Sequence, residues 1–162
     1  MERLWAPWRM EYINSAREGE AGCIFCELPA ADDDEKNHIL TRREKAFVIL
    51  NTYPYNSGHL MIAPFRHVGE VEDLEDDEAE NMHHLLQKSL KALRGAMQPE
   101  GFNIGMNLGR VAGAGVPDHV HWHVVPRWSG DTNFMPMVAE TKVLPELLQD
   151  AYSRLREQFH HG

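Results

Sequence analysis

The stretch DHVHWHVVPRW, Asp118 to Trp128, sets His119, His121 and His123 at every second position. On a β-strand, residues i, i+2 and i+4 point to one face. The three imidazoles then share a space, while Val120, Trp122 and Val124 turn to an apolar core. A neutral imidazole is a nucleophile, an acid–base group and a zinc ligand. One ion cannot serve all three on a straight strand: the Cα atoms of His119 and His123 would lie about 13 Å apart, and zinc–nitrogen bonds are about 2.0–2.1 Å. The economical division gives one end histidine to a metal and leaves the other two to a substrate.

The chain has two cysteines, Cys23 and Cys26, in the segment CIFC. A C-x-x-C pair is a redox couple, half of a zinc site, or chance. A redox pair opens a helix after a strand, whereas this one follows REGEAG, which reads as loop. Two thiolates need two further ligands, and His119 can supply one. His67, in APFRHVGEV, is the candidate fourth. Cys23, Cys26, His67 and His119 make a closed Cys₂His₂ tetrahedron, so the zinc would be structural and would tie the start of the chain to the histidine strand.

Several elements must position these groups. HILTR (38–42), AFVILN (46–51) and HLMIAPF (59–65) read as strands, the third ending near a sheet edge because of Pro64. TYPYNSG (52–58) is turn chemistry. A helix is predicted over Asp76–Met97, where Met82, Leu85, Leu86, Leu90, Leu93 and Met97 recur at helical spacing. His83 and His84 lie in this helix and read as partly exposed or core-edge histidines, since they lack ligand-type neighbours. FNIGMN (102–107) and HVHWHVVP (119–126) are the fourth and fifth strands, joined by the glycine-rich loop LGRVAGAGVPD. A last helix is expected over Lys142–Phe159, with Pro145 in its first turn and Leu147, Leu148, Ala151, Leu155 and Phe159 on its apolar side. The expected fold is α+β: an antiparallel sheet of about five strands, one long helix between strands and a C-terminal helix.

The 162 residues, 43% of them hydrophobic, suit one domain spanning 1–162 with an apolar N-terminal arm over residues 1–20. A net charge of −9 disfavours nucleic-acid partners, which need phosphate neutralisation. No apolar run approaches the ~18 residues of a membrane span, and the charged, aromatic start does not read as a signal peptide. The expected location is cytoplasmic. The acidic run EVEDLEDDEAE reads as a solvated loop and helix start.

HVHWHVV (119–125) matches the pattern H-Φ-H-Φ-H-Φ-Φ, with Φ apolar, and the chain thereby resembles the histidine-triad (HIT) family. GHLMIAPFRH, the preceding CIFC and NIGMNLGRVAGAG extend the resemblance to roughly residues 22–128. LWAPWRMEYI, DTNFMP and TKVLPELL resemble a zinc-bearing bacterial branch related to diadenosine tetraphosphate phosphorylases. The resemblance implies a homodimer that binds an adenine nucleotide and cleaves at its α-phosphate. His121 would be the nucleophile, forming a nucleotidyl-imidazole released to water or phosphate. His123 would hydrogen-bond a phosphate oxygen or the leaving group, and His119 falls on the zinc-ligand position.

The resemblance also places Asn51 at the ribose and Asn107 near the phosphates. The loop Gly109 to Gly115 could offer backbone N–H groups to anionic oxygens. Many members carry Gln then Ser or Thr just before the triad. Here Gly115-Val116-Pro117-Asp118 stands instead, so those side-chain contacts to phosphate would be missing or replaced by backbone. His123 differs from the Gln typical of hexose-1-phosphate uridylyltransferases, which argues against a sugar-nucleotide transferase. Other readings are a purine nucleoside phosphoramidase, a nucleotide-binding regulator without turnover, and a metallohydrolase with its metal on His121 and His123.

Overall fold

The computed structural model describes residues 22–131 and 146–161. The predicted arm over residues 1–20 and the expected helix start at 142–145 lie outside them. The element order is α1 (Ile24–Ala30), β1 (Ile39–Arg42), β2 (Ala46–Leu50), β3 (Leu60–Pro64), α2 (Asp76–Met97), β4 (Gly101–Gly105), β5 (Trp122–Arg127) and α3 (Leu148–His161). All strand pairs are antiparallel, in the order β1-β2-β3-β5-β4.

Period-two alternation sorts the strand residues into two layers. Leu40, Val48, Leu50, Leu60, Ile62 and Val124 face α2 and α3, joined by Met82, Leu85, Leu93, Leu155 and Phe159. Ile39, Phe47, Ile49, Met61 and Ala63 form the opposite face and pack on Phe25, with Ile24 and Leu28 of α1 around it. The histidine-bearing side of the sheet therefore has its own small covering layer. In the ladder, Met61 faces His123. His59 is two residues before Met61, so the alternation puts it on that same side.

Helix α2 has the predicted bounds, and the acidic run supplies its start. Glu75 and Glu78 form a reciprocal capping box, with Asp76 and Asp77 also in the first turn. Glu78 is buried and accepts two hydrogen bonds from Arg66, from Nε at 2.9 Å and Nη2 at 2.7 Å. Arg66 also donates to the Asp73 carbonyl. These bonds hold the Glu78 carboxyl below the ordinary range against the opposing effect of burial. A depressed carboxylate stabilises the fold above its unfolded value, and that contribution is lost as pH falls through the folded one. Glu78→Gln is therefore expected to cost about 1–2 kcal/mol at pH 7. The gap to the parent should shrink below about pH 4.3. Urea denaturation at pH 7 and pH 3 checks this.

Four expectations are corrected. Pro64 ends a strand in the middle of the sheet, not near an edge. It pairs with Ala46 on β2, while the β3–β5 ladder stops at Ile62↔Trp122, so its missing N–H interrupts no bond on the β5 side. The fifth strand begins at Trp122 rather than His119. Before Trp122 the Val120 N–H bonds the Val68 carbonyl (2.7 Å) instead of continuing the ladder. The C-x-x-C pair does open a helix, since Cys23 is the N-cap of α1 and Cys26 lies in its first turn. The last helix starts at Leu148, and Leu147 is 74% exposed, off the apolar face.

Candidate active site and metal cluster

The interrupted strand separates the three histidines into two environments. His119 is fully buried beside the start of α1. Its Nδ1 lies 3.3 Å from Cys23 Sγ and 3.6 Å from Cys26 Sγ. His67 Nδ1 lies 3.4 Å from Cys26 Sγ. The ligand atoms of Cys23, Cys26, His67 and His119 all fall within 4.8 Å of one another. Tetrahedral zinc with bonds of about 2.0–2.3 Å needs ligand–ligand separations of roughly 3.3–3.8 Å; the three sulfur–nitrogen distances of 3.3, 3.4 and 3.6 Å fall in that range, and the donor set fits that ion in type.

The surroundings complete the fit. His119 Nε2 is 2.9 Å from the Pro64 carbonyl. A carbonyl only accepts, so Nε2 carries the proton and Nδ1 presents its lone pair to the cluster. Burial lowers the pKa of His119, keeping the imidazole neutral as a ligand must be. Burial also pushes the Cys23 thiol up to about 11. A cation there would reverse that shift, because a coordinating thiol is deprotonated.

His121 and His123 line a cleft with Ile24, Phe25, Asn51, Thr52, Tyr53, Tyr55, Met61, Gly113 and Gly115. His121 is 5% exposed, and its Nδ1 donates to the His119 carbonyl at 2.8 Å. Nε2 is thus the nitrogen left with a lone pair. Burial lowers the pKa of His121 while that carbonyl bond opposes the shift. Both the bond and the burial suit a neutral nucleophile with a fixed tautomer.

His123 belongs to a chain of fixed donors. The Tyr55 N–H donates to His59 Nδ1 (3.1 Å), so His59 carries its proton on Nε2. That nitrogen is 3.0 Å from His123 Nδ1. His123 consequently carries its own proton on Nε2, as a donor. Tyr55 stacks on His59 at 5.1 Å and 19°, and the His121 and His123 rings meet edge to face at 4.8 Å.

Of the other residues singled out, Asn51 and Gly115 line the cleft with both histidines, and Asn51 Oδ1 accepts from the Tyr53 N–H. Asn107, Gly109 and Val116 are not among the lining residues. Asn107 Nδ2 donates to the Gly113 carbonyl, which braces the glycine loop, and Val116 packs beside the Phe25 core. Gly113, at the cleft, has φ +89°, a conformation that disfavours any side chain.

Sequence reasoning missed His59, Phe25 and Tyr55. A histidine opening an otherwise apolar strand was the available signal for His59. His59→Ala should lower kcat/KM about 10²-fold by freeing the His123 tautomer, with the melting temperature showing whether the fold is kept.

Comparison with known proteins agrees with this geometry. The model of the HIT domain matches residues 33–130. The chain is 41% identical over 157 residues to the AP-4-A phosphorylase of Mycobacterium tuberculosis, covering 93% of this chain and 80% of that one. It is 32% identical over 105 residues to adenosine 5'-monophosphoramidase hnt1 of Schizosaccharomyces pombe, covering 65% and 74%. The crystal structure of a Zn-bound histidine triad family protein from Mycobacterium smegmatis superposes with a TM-score of 0.69 at 24% identity, over 86% of this chain and 94% of that one. With its HVHWHVV segment folded around the cleft and its match spanning most of the sheet, this chain belongs to the HIT domain family.

Proposed function

We propose that the chain is an enzyme that cleaves dinucleoside polyphosphates, such as diadenosine tetraphosphate, at an α-phosphate. The observation that carries this is the buried, neutral His121, held by the His119 carbonyl with its Nε2 unprotonated beside a donor His123. The likeness to a mycobacterial AP-4-A phosphorylase supports the substrate class.

The Nε2 lone pair of His121 attacks the α-phosphorus, forming a P–N bond. The bridging P–O bond breaks, and ATP leaves from diadenosine tetraphosphate. His123 Nε2–H hydrogen-bonds the departing oxygen, and the His119 carbonyl stabilises the positive charge on His121 through Nδ1–H. An oxygen of inorganic phosphate, or water, then attacks the same phosphorus; a P–O bond forms as the P–N bond breaks, the attacking group's proton passes to solvent, and His121 leaves in its neutral form. The products are ADP or AMP respectively. Asn51 holds the ribose, and Gly113 and Gly115 let the phosphates approach the backbone.

Zinc on Cys23, Cys26, His67 and His119 would be structural, since four protein ligands leave no open position. We read the chain as a homodimer through the outer edge of β4, where Ile104 is 42% exposed. The free thiols suit the reducing cytoplasm, and the net charge of −9 suits neither nucleic acid nor an anionic membrane as a partner. Among the described residues no helix is long and apolar enough to cross a membrane.

The test is product analysis with diadenosine tetraphosphate, with and without inorganic phosphate. The expected result is ADP plus ATP, dependent on phosphate. AMP plus ATP regardless of phosphate would make the enzyme a hydrolase. No product would overturn the assignment. A second reading, motivated by the 32% identity to the hnt1 phosphoramidase, predicts AMP and ammonia from adenosine 5'-monophosphoramidate.

A further inference from the structure

The segment Cys23-Ile24-Phe25-Cys26 serves two sites at once. At about 100° per residue, the first turn of α1 sets Cys23 and Cys26 on one side and Ile24 and Phe25 on the other. The cysteines face His67 and His119, whereas Ile24 and Phe25 form part of the cleft wall. Phe25 is fully buried between the two. Its ring centroid lies 5.3 Å from that of the metal-cluster residue His119 and 4.5 Å from that of His121. A second connection runs through the backbone. The residue whose Nδ1 faces the thiols, His119, also supplies the carbonyl that orients His121, at 2.8 Å.

Helix α1 is seven residues long and contains Pro29. A helix so short has little stability of its own, because nucleation is unfavourable and few bonds repay it. Its first turn is held by the core contacts of Phe25 and by the sulfur–imidazole cluster. Whatever fixes Cys23 and Cys26 therefore also fixes the Ile24–Phe25 wall. A ligand packed against that wall in turn fixes the two sulfurs.

We propose that the Cys23/Cys26/His67/His119 cluster and the nucleotide cleft are thermodynamically coupled through Phe25, each site tightening the other when filled. This rests on the nucleotide-binding reading above. Phe25 is here a positioning residue: it orders the cleft wall and the His119–His121 pair together. Coupling between sites is reciprocal, so zinc should raise nucleotide affinity by the same factor by which nucleotide raises zinc affinity.

The experiment is competition for zinc between the zinc-loaded full-length protein and a chromophoric chelator, with and without saturating AMP. Binding of labelled AMP is measured in parallel by equilibrium dialysis. The expected result is a rise in zinc affinity of about fivefold with AMP, within the usual range of such couplings. Phe25→Leu, which keeps the site apolar, should bind zinc but lose most of the rise. Cys23→Ser should bind AMP about fivefold more weakly with unchanged circular dichroism. Zinc affinity that ignores bound AMP overturns the coupling and leaves nucleotide binding standing. Failure of AMP to bind overturns both.

Discussion

Replacement of His121 by alanine is expected to abolish turnover of diadenosine tetraphosphate, by on the order of 10⁴-fold or more, the scale on which loss of a covalent nucleophile is felt. The other two histidines of the triad cannot take over. His123 Nδ1 is engaged by His59, which leaves His123 with a protonated Nε2 and makes it a donor. His119 has Nε2 on the Pro64 carbonyl and Nδ1 within reach of both thiols. Because His121 is buried, its removal leaves a cavity, which costs stability as well. Thermal unfolding and zinc content of the variant must accompany the assay: a folded, zinc-bearing, inactive protein is the expected outcome. Retained activity in that variant would remove His121 from the chemistry. Rapid-quench analysis of the parent should show a nucleotidylated protein that the variant does not form.

Removal of the metal is the second large expected effect. An ion that binds only the folded chain stabilises it by about 4 kcal/mol when its free concentration is a thousandfold above Kd. For a protein of this length that corresponds to roughly 10 °C in melting temperature. A strong chelator should lower the melting temperature by that order, and restoration by zinc should be complete under reducing conditions. The Cys26→Ser protein should contain less than one equivalent of zinc and should not respond to the chelator. Metal content and activity that both survive Cys26→Ser would move the ion elsewhere, and the pair His121 and His123 would be the next place to look. The sheet itself should persist, since the core of Val48, Leu60, Ile62, Met82, Leu93 and Leu155 lies on the far side from the cluster.

The site was legible in the sequence where its signals are local. Alternation at 119, 121 and 123 pointed to one end histidine for a metal and two for a substrate, and the CIFC pair with His67 and His119 announced four zinc-type donors that the fold does gather within 4.8 Å. The helical spacing of Met82 to Met97 and the acidic start delivered the bounds of α2, because both capping and amphipathicity act within a few residues. The antiparallel architecture followed from short strands joined by turn residues.

What only the tertiary structure decided depends on groups distant in sequence. His59 meets His123 across 64 positions through the register of β3 and β5. No local propensity encodes register; burial of one sheet face selects it. The fifth strand breaks before Trp122 where the Val68 carbonyl, far upstream, takes the Val120 N–H, while the Pro64 carbonyl orients the His119 ring. That break is what lets an alternating triad serve two places, with one imidazole at the thiols and two in the cleft. The start of α1 was hidden for a related reason. Its seven residues, with Pro29 among them, form a helix because Phe25 is buried against the sheet and the histidines, a tertiary contact that outweighs weak helical preference.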